Sequence, residues 1–219
     1  MPQYQEQPPH REIFMNRQSL LIAAALFTFT STSHATKLIT FDEISNLSAS
    51  SVPDNYEGFK WTNFDYVNPF SSTSGFESSG ARNGLVSLRY LAVNHGGLPA
   101  QFESTTPFTL NSAYFGSAFK DGLQVTVEGQ SGGLIVDTKL FTVNATGRNL
   151  ETFNWQNVDT VLISATGGTR NPLYGSSTSN FTMDNLIVSN VPEPESYAML
   201  LAGLGLVSLM ARRRKSSSM

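Results

Sequence analysis

Between residues 37 and 189 the chain alternates apolar and polar positions in short runs, separated by clusters of glycine, serine, threonine and asparagine. LQVTVEG (123–129) shows this most clearly. Leu123, Val125 and Val127 fall on one face and Gln124, Thr126 and Glu128 on the other, the period of two that a half-buried strand requires. KLITF (37–41), GFKWTNF (58–64), GLVSLRYLAV (84–93), PAQFES (99–104) and FTLNSAYFGSAF (108–119) mix β-branched and aromatic residues in the same way. So do LIVDTKLFTVN (134–144), ETFNW (151–155), TVLISA (160–165) and FTMDNLIVS (181–189). Turn residues fill the gaps at Lys120-Asp121-Gly122, Gly132-Gly133 and Ala145-Thr146-Gly147-Arg148-Asn149. About ten short strands with no helical period between them predict an all-β fold, an antiparallel β-sandwich of jelly-roll type. Residues 71–80 and 166–180 read as longer loops, the first as a disordered insert or part of a binding rim.

Two apolar stretches break the pattern, one near each end. Leu20 to Phe29 follows Met15, Asn16 and Arg17 and leads to Ser33-His34-Ala35, a small-x-small site. Its ten apolar residues fall short of the ~20 that a membrane-spanning helix needs. The arrangement is that of a secretory signal peptide over residues 1–35, cleaved after Ala35, with Met15 as the start because the residues before it are polar and proline-rich. The second stretch, residues 197–211, precedes Arg212, Arg213, Arg214 and Lys215. As a helix it reaches ~22 Å, a short transmembrane span whose basic flank stays on the cytoplasmic side. The ectodomain between the two ends, residues 36–190, therefore lies outside the inner membrane.

Val191-Pro192-Glu193-Pro194-Glu195, the apolar span and the arginine cluster follow one another in the order of a PEP-CTERM sorting signal, which the last thirty or so residues resemble. That resemblance implies a Gram-negative bacterium and an exosortase as partner. It also implies cleavage near Pro192, Glu193 and Pro194, and retention by Arg212, Arg213 and Arg214 until then. The expected location is the cell envelope, the cell surface or the extracellular matrix. A plain C-terminal anchor shares this topology and differs only in keeping the tail. The run from Phe108 to Gly129 and the closing FTMDNLIV are similar to the β-sandwich ectodomains of PEP-CTERM proteins, whose shape is like that of carbohydrate-binding modules.

Composition narrows the chemistry. The 219-residue chain has no cysteine, which excludes disulfides, thiol catalysis and cysteine-bound metals. Residues 36–190 carry eight Lys and Arg against thirteen Asp and Glu, so no basic surface for nucleic acid is expected. His10 and His34 fall before the cleavage site, leaving His95 as the single histidine of the ectodomain. A Ser-His-Asp triad would have to use it, but Val93-Asn94-His95-Gly96-Gly97 reads as an exposed turn and no Gly-x-Ser-x-Gly occurs. Paired carboxylates for glycoside hydrolysis are neither supported nor excluded.

Two binding readings follow from residue type. Asp42, after the first strand, and Asp184, in the last, meet if the terminal strands lie side by side, and they are candidate ligands for a structural calcium. No other cofactor is expected. Aromatic rings stack on sugars, which makes Tyr56, Trp61, Tyr66 and Tyr174 candidate sugar contacts, with Phe64, Phe70 and Phe76 near the same loops. The expectation is a non-catalytic exported protein associated with extracellular polysaccharide or biofilm. A lectin-like carbohydrate-binding module and a small glycan-active enzyme remain as alternatives.

Overall fold

Alternation persists through the long strands, and asparagines reset it where the core demands. The computed structural model describes residues 35–44, 46–190 and 203–205. Among them run ten strands, β1 (Thr36–Ile39), β2 (Ala49–Ser51), β3 (Lys60–Thr62), β4 (Phe64–Val67), β5 (Leu91–Asn94), β6 (Ala100–Ser117), β7 (Lys120–Ser131), β8 (Leu134–Val143), β9 (Arg148–Arg170) and β10 (Phe181–Asn190). One four-residue helix, α1 (Ala81–Gly84), and two 3-10 turns, Tyr56–Gly58 and His95–Gly97, stand where no helix was expected. The signal-peptide segment before Ala35, the sorting residues Pro192, Glu193, Pro194, Arg212, Arg213 and Arg214, and nearly all of the 197–211 span lie outside the described residues. Among the described residues no helix is long and apolar enough to cross a membrane.

Every pairing is antiparallel, and the strands follow the order β2-β4-β5-β10-β6-β9-β7-β8, with β1 also on β10 and β3 also on β6. β6 and β9 each belong to two layers. Their far halves pair as Phe108 to Gly116 against Arg148 to Val158, beside β10. Their near halves pair as Ala100–Glu103 against Thr160–Ile163, beside β3 and β7. Between the halves Ser104 to Pro107 bulge against Asp159, and there both strands bend from one sheet into the other. This is why PAQFES and FTLNSAYFGSAF, read as two strands, are one strand of 18 residues, and ETFNW and TVLISA one of 23.

An aromatic core fills the sandwich. Phe102 of the near layer meets Phe64 and Phe108 of the far layer at centroid distances of 6.4 and 5.9 Å, and Phe115 of β6 meets Phe141 of β8 at 5.1 Å. β7 alternates as expected, with Leu123, Val125 and Val127 fully buried. GFKWTNF is split at Asn63, whose φ of 56° lies in the left-handed region that asparagine tolerates. The break shifts the parity, so Trp61 and Phe64 both point inward. Asn157 (φ 59°) and Asn185 (φ 48°) do the same in β9 and β10.

The link from β6 to β7 is Ala118–Phe119 rather than Lys120-Asp121-Gly122, which lies within β7. Residues 71–80 are an ordered cover rather than a disordered insert. Ser71, Ser74 and Ser79 accept or donate local hydrogen bonds, and Phe76 packs on a second small core of Val67, Ala81, Leu91 and Val93. Residues 166–170, read as loop, complete β9.

Candidate functional site: a polar groove along one side of the sandwich

The aromatic candidates do not form a platform. Trp61 (5% exposed) and Tyr66 (3%) are core residues: Trp61 stacks near Phe102 at 5.2 Å and Tyr66 meets Tyr90 edge-on at 5.7 Å. Both were expected to touch sugar, and burial corrects that reading. Tyr56 is half-buried, with its hydroxyl enclosed; burial first, then Glu43 and Glu57, raises its pKa. Its backbone carbonyl accepts the Trp61 indole N–H at 2.9 Å. Tyr174 is half-buried at another place, the end of the sandwich, where its hydroxyl lies 3.3 Å from Asn83 Nδ2. The structure thus brings Tyr56 and Trp61 together, ring centroids 6.3 Å apart, at the edge of the core, and holds Tyr174 elsewhere.

Asp42 and Asp184 do converge, because β1 lies on β10, and both are engaged by backbone amides. Asp184 accepts the N–H groups of Val86 and Ser87 at 2.7 and 2.8 Å, and that of Asn185 at 2.7 Å. Asp42 accepts those of Leu88, Arg89 and Tyr90 at 3.0, 2.9 and 2.9 Å. Five consecutive amides of the 86–90 loop are therefore held by two carboxylates, whose oxygens face donors rather than other oxygens. A cation in their place would leave those amides unpaired. Among the described residues no three acids or histidines cluster as metal ligands. The pair is a clamp that ties the terminal strands to this loop. Asp184 is fully buried, and burial pushes its pKa up to about 6 despite the amide bonds.

A groove lies between the β2–β4 edge and β3. Its upper hollow, about 400 Å³, is lined by Ser51, Asp54, Lys60, Thr62, Asn63, Asp65 and His95 among others. A lower hollow of about 540 Å³ shares Lys60 and continues past Asn55, Glu103, Ser104, Asp159 and Thr160. Ser51 and Asp65 are register partners at the end of β2. Ser51 Oγ donates to Asp65 Oδ1 at 3.1 Å, and His95 Nδ1 donates to Asp65 Oδ2 at 2.7 Å. The 3-10 turn that carries His95 is pinned by its N–H to the Asn63 carbonyl at 2.8 Å. With Nδ1 committed to Asp65, a neutral His95 presents Nε2 as an acceptor. Lower down, Lys60 Nζ donates to Glu103 Oε1 at 2.6 Å, which raises the lysine's pKa.

The two hollows therefore present donors and acceptors from β2, β3, β4, β6, β9 and two turns on either side of Lys60. Residue type alone gives Asp65 no distinct role and leaves His95 as an exposed turn residue. Their pairing spans 30 positions and carries no local signal.

Fold and ends together describe an all-β sandwich followed by a sorting tail. Residues 190–215 match the PEP-CTERM protein-sorting motif. The motif implies export, with an exosortase as the processing partner at the membrane, and thus a protein of the cell envelope or surface. No curated protein matches the chain in sequence. Among solved structures, the chain is similar to a DUF4465 family protein from Bacteroides caccae at 13% identity and a TM-score of 0.52, over 72% of this chain and 100% of that one. Fainter likenesses are to TmCBM61 in complex with beta-1,4-galactotriose (10% identity, TM-score 0.34, 68% of this chain and 91% of that one) and a DUF4465 family protein from Bacteroides ovatus (9%, 0.34, 71% and 94%). The first establishes a shared β-sandwich fold and nothing finer.

Proposed function

We propose that the chain is a non-catalytic protein of the envelope or extracellular matrix of a Gram-negative bacterium, exported by its N-terminal segment and sorted by its tail. Its sandwich, of jelly-roll type, is the cargo, and the side groove holds a stretch of extracellular polysaccharide. The sorting motif supports the delivery. The observation that carries the binding role is the groove itself, where two adjoining hollows share Lys60. A saccharide presents hydroxyls that both donate and accept, and alternating carboxylates, hydroxyls, ammonium and imidazole match that pattern. The Ser51–Asp65–His95 and Lys60–Glu103 bonds hold these side chains in place before a ligand arrives, which lowers the ordering cost of binding.

Openness favours binding over catalysis. The His95 side chain is 63% exposed, and a solvated imidazole lacks the water-excluded surroundings in which fixed charges lower a barrier most. Isothermal titration with the polysaccharide of the producing organism tests the reading. Asp65→Ala and Glu103→Ala should each weaken binding at least several-fold, and unchanged binding in both removes the groove from the account. The second reading, a small glycan-active enzyme, draws on Glu103 and Asp159 lining one hollow. It requires that the same substitutions abolish release of reducing ends.

A further inference from the structure

Four of the eight lysines and arginines of residues 36–190 gather at the end of the sandwich where β10 begins. Lys120 and Arg170 are register partners across β7 and β9. Arg148 opens β9 opposite Gly116, one residue from the Ser117–Phe181 pair. Its Nη1 donates to the Asn83 carbonyl at 3.0 Å, which joins it to α1 and to Arg82. Arg170 Nη1 donates to the Tyr174 carbonyl at 2.9 Å, while the Tyr174 hydroxyl lies against Asn83 Nδ2. The four cations thus stand on one connected set of loops.

The hydrogen-bond partners of all four are neutral. Arg82 Nε donates to the Pro69 carbonyl at 3.0 Å, and Lys120 Nζ to the Gly167 carbonyl and Ser179 Oγ at 3.1 and 2.9 Å. Among the described residues none of the four makes an ion pair, whereas Lys37, Lys60 and Lys139 each pair with a glutamate. The two carboxylates of these loops are half-buried and either spent on neutral donors or turned inward. Asp121 accepts the Ala145 N–H and the Asn171 side-chain amide at 2.9 and 2.6 Å, and Glu77 Oε2 is buried. A domain with thirteen acids and eight bases therefore presents one end rich in unneutralised cations, with Arg82, Arg148 and Arg170 exposed.

The chain enters and leaves at the opposite end. Thr36 pairs with Ser189, and Asn190 with Phe108. The ten residues of β10 separate the two ends by about 33 Å at ~3.3 Å per residue.

We infer that this end docks an anionic polysaccharide, one whose repeat carries carboxylates of the uronic acid kind. Each guanidinium spends one N–H on a backbone carbonyl, which orients it, and keeps the others for a carboxylate, whose shape the guanidinium fork matches. Several such contacts along one polymer add as linked sites do. The surface is separate from the side groove and stands or falls apart from it.

The test uses the full chain in non-ionic detergent and fluorescent polygalacturonate oligomers, followed by anisotropy. The oligomers should bind, with affinity falling as salt is raised through the range where the Debye length shrinks below ~10 Å. Carboxyl-reduced oligomers should not bind. Replacing Arg82, Arg148 and Arg170 together with alanine should cost about tenfold or more in affinity, while the triple lysine variant, which keeps the charges but not the fork, should fall clearly between that and wild type. Lys37→Ala, at the opposite end of the sandwich, should bind like wild type. The inference is overturned if the alanine triple binds normally, if the reduced oligomers bind equally well, or if the lysine triple fails as the alanine triple does. It is also overturned if phosphatidylglycerol vesicles bind and polygalacturonate does not. Loss with Asp65→Ala alone moves the binding to the groove, leaving the proposed function standing and this inference refuted.

Discussion

The clamp at residues 86–90 makes stability depend on pH in an unusual direction. An ordinary aspartate titrates near 3.8, and Asp184 in the folded chain titrates at about 6. Between those values the folded state holds a proton that the unfolded chain has released. Stability from this group is therefore fully present below about 3.8 and is lost as pH rises through about 6. At ~1.4 kcal/mol per pH unit the window is worth about 3 kcal/mol, and because Asp184 is fully buried solvent screens little of it. The perturbation is Asp184→Asn, which removes the titration while keeping the shape. Asparagine loses one acceptor for the loop amides, so the variant should start out less stable at low pH. Urea unfolding at pH 3.5, 5 and 7 (experimental settings at about the two pKa values and beyond), read by fluorescence of the buried Trp61 and Trp155, gives the comparison. Wild type should lose about 3 kcal/mol relative to the variant over that range. A difference that stays flat with pH, or grows in favour of wild type, would show that the amide bonds outweigh burial and would refute the reasoning.

Other substitutions test the packing and the clamp. Gly129→Ala places a Cβ 2.8 Å from both Trp155 and Val158, so thermal melts should show a loss of about 1–3 kcal/mol from overpacking. Trp61→Ala should cost about 3–5 kcal/mol in urea unfolding through the cavity it leaves. Millimolar calcium or chelator should leave the melting temperature unchanged, because the Asp42 and Asp184 oxygens already face amides; a rise with calcium would restore the metal reading.

How far these features could be read in the chain depends on the range of the interactions. β7 was legible because one face of a regular strand is buried, and Leu123, Val125 and Val127 say so in order. The long strands were not, because Ser104 to Pro107 and Gln156 to Asp159 look like loops, whereas in the fold they are the bends at which one strand serves two sheets. The inward turn of Trp61 depends on a parity change at Asn63, a single positive φ that composition does not announce. The meeting of Asp42 and Asp184 followed from pairing the terminal strands. What they hold did not, since backbone amides have no letter in the sequence. The groove was harder still, since Ser51, Asp65 and His95 come from separate elements and acquire meaning only once joined.

Delivery of the sandwich by two terminal signals is the central claim, and intact mass of the chain recovered from membrane and extracellular fractions tests it directly. Wild type outside the cell should begin at Thr36, after Ala35, and should lack the residues that follow the Pro192-Glu193-Pro194 site through Met219. Glu193→Ala should be found full length from Thr36 in the membrane. Wild type and variant recovered alike, both in the membrane and both ending at Met219, would contradict the account and leave a tethered sandwich in its place.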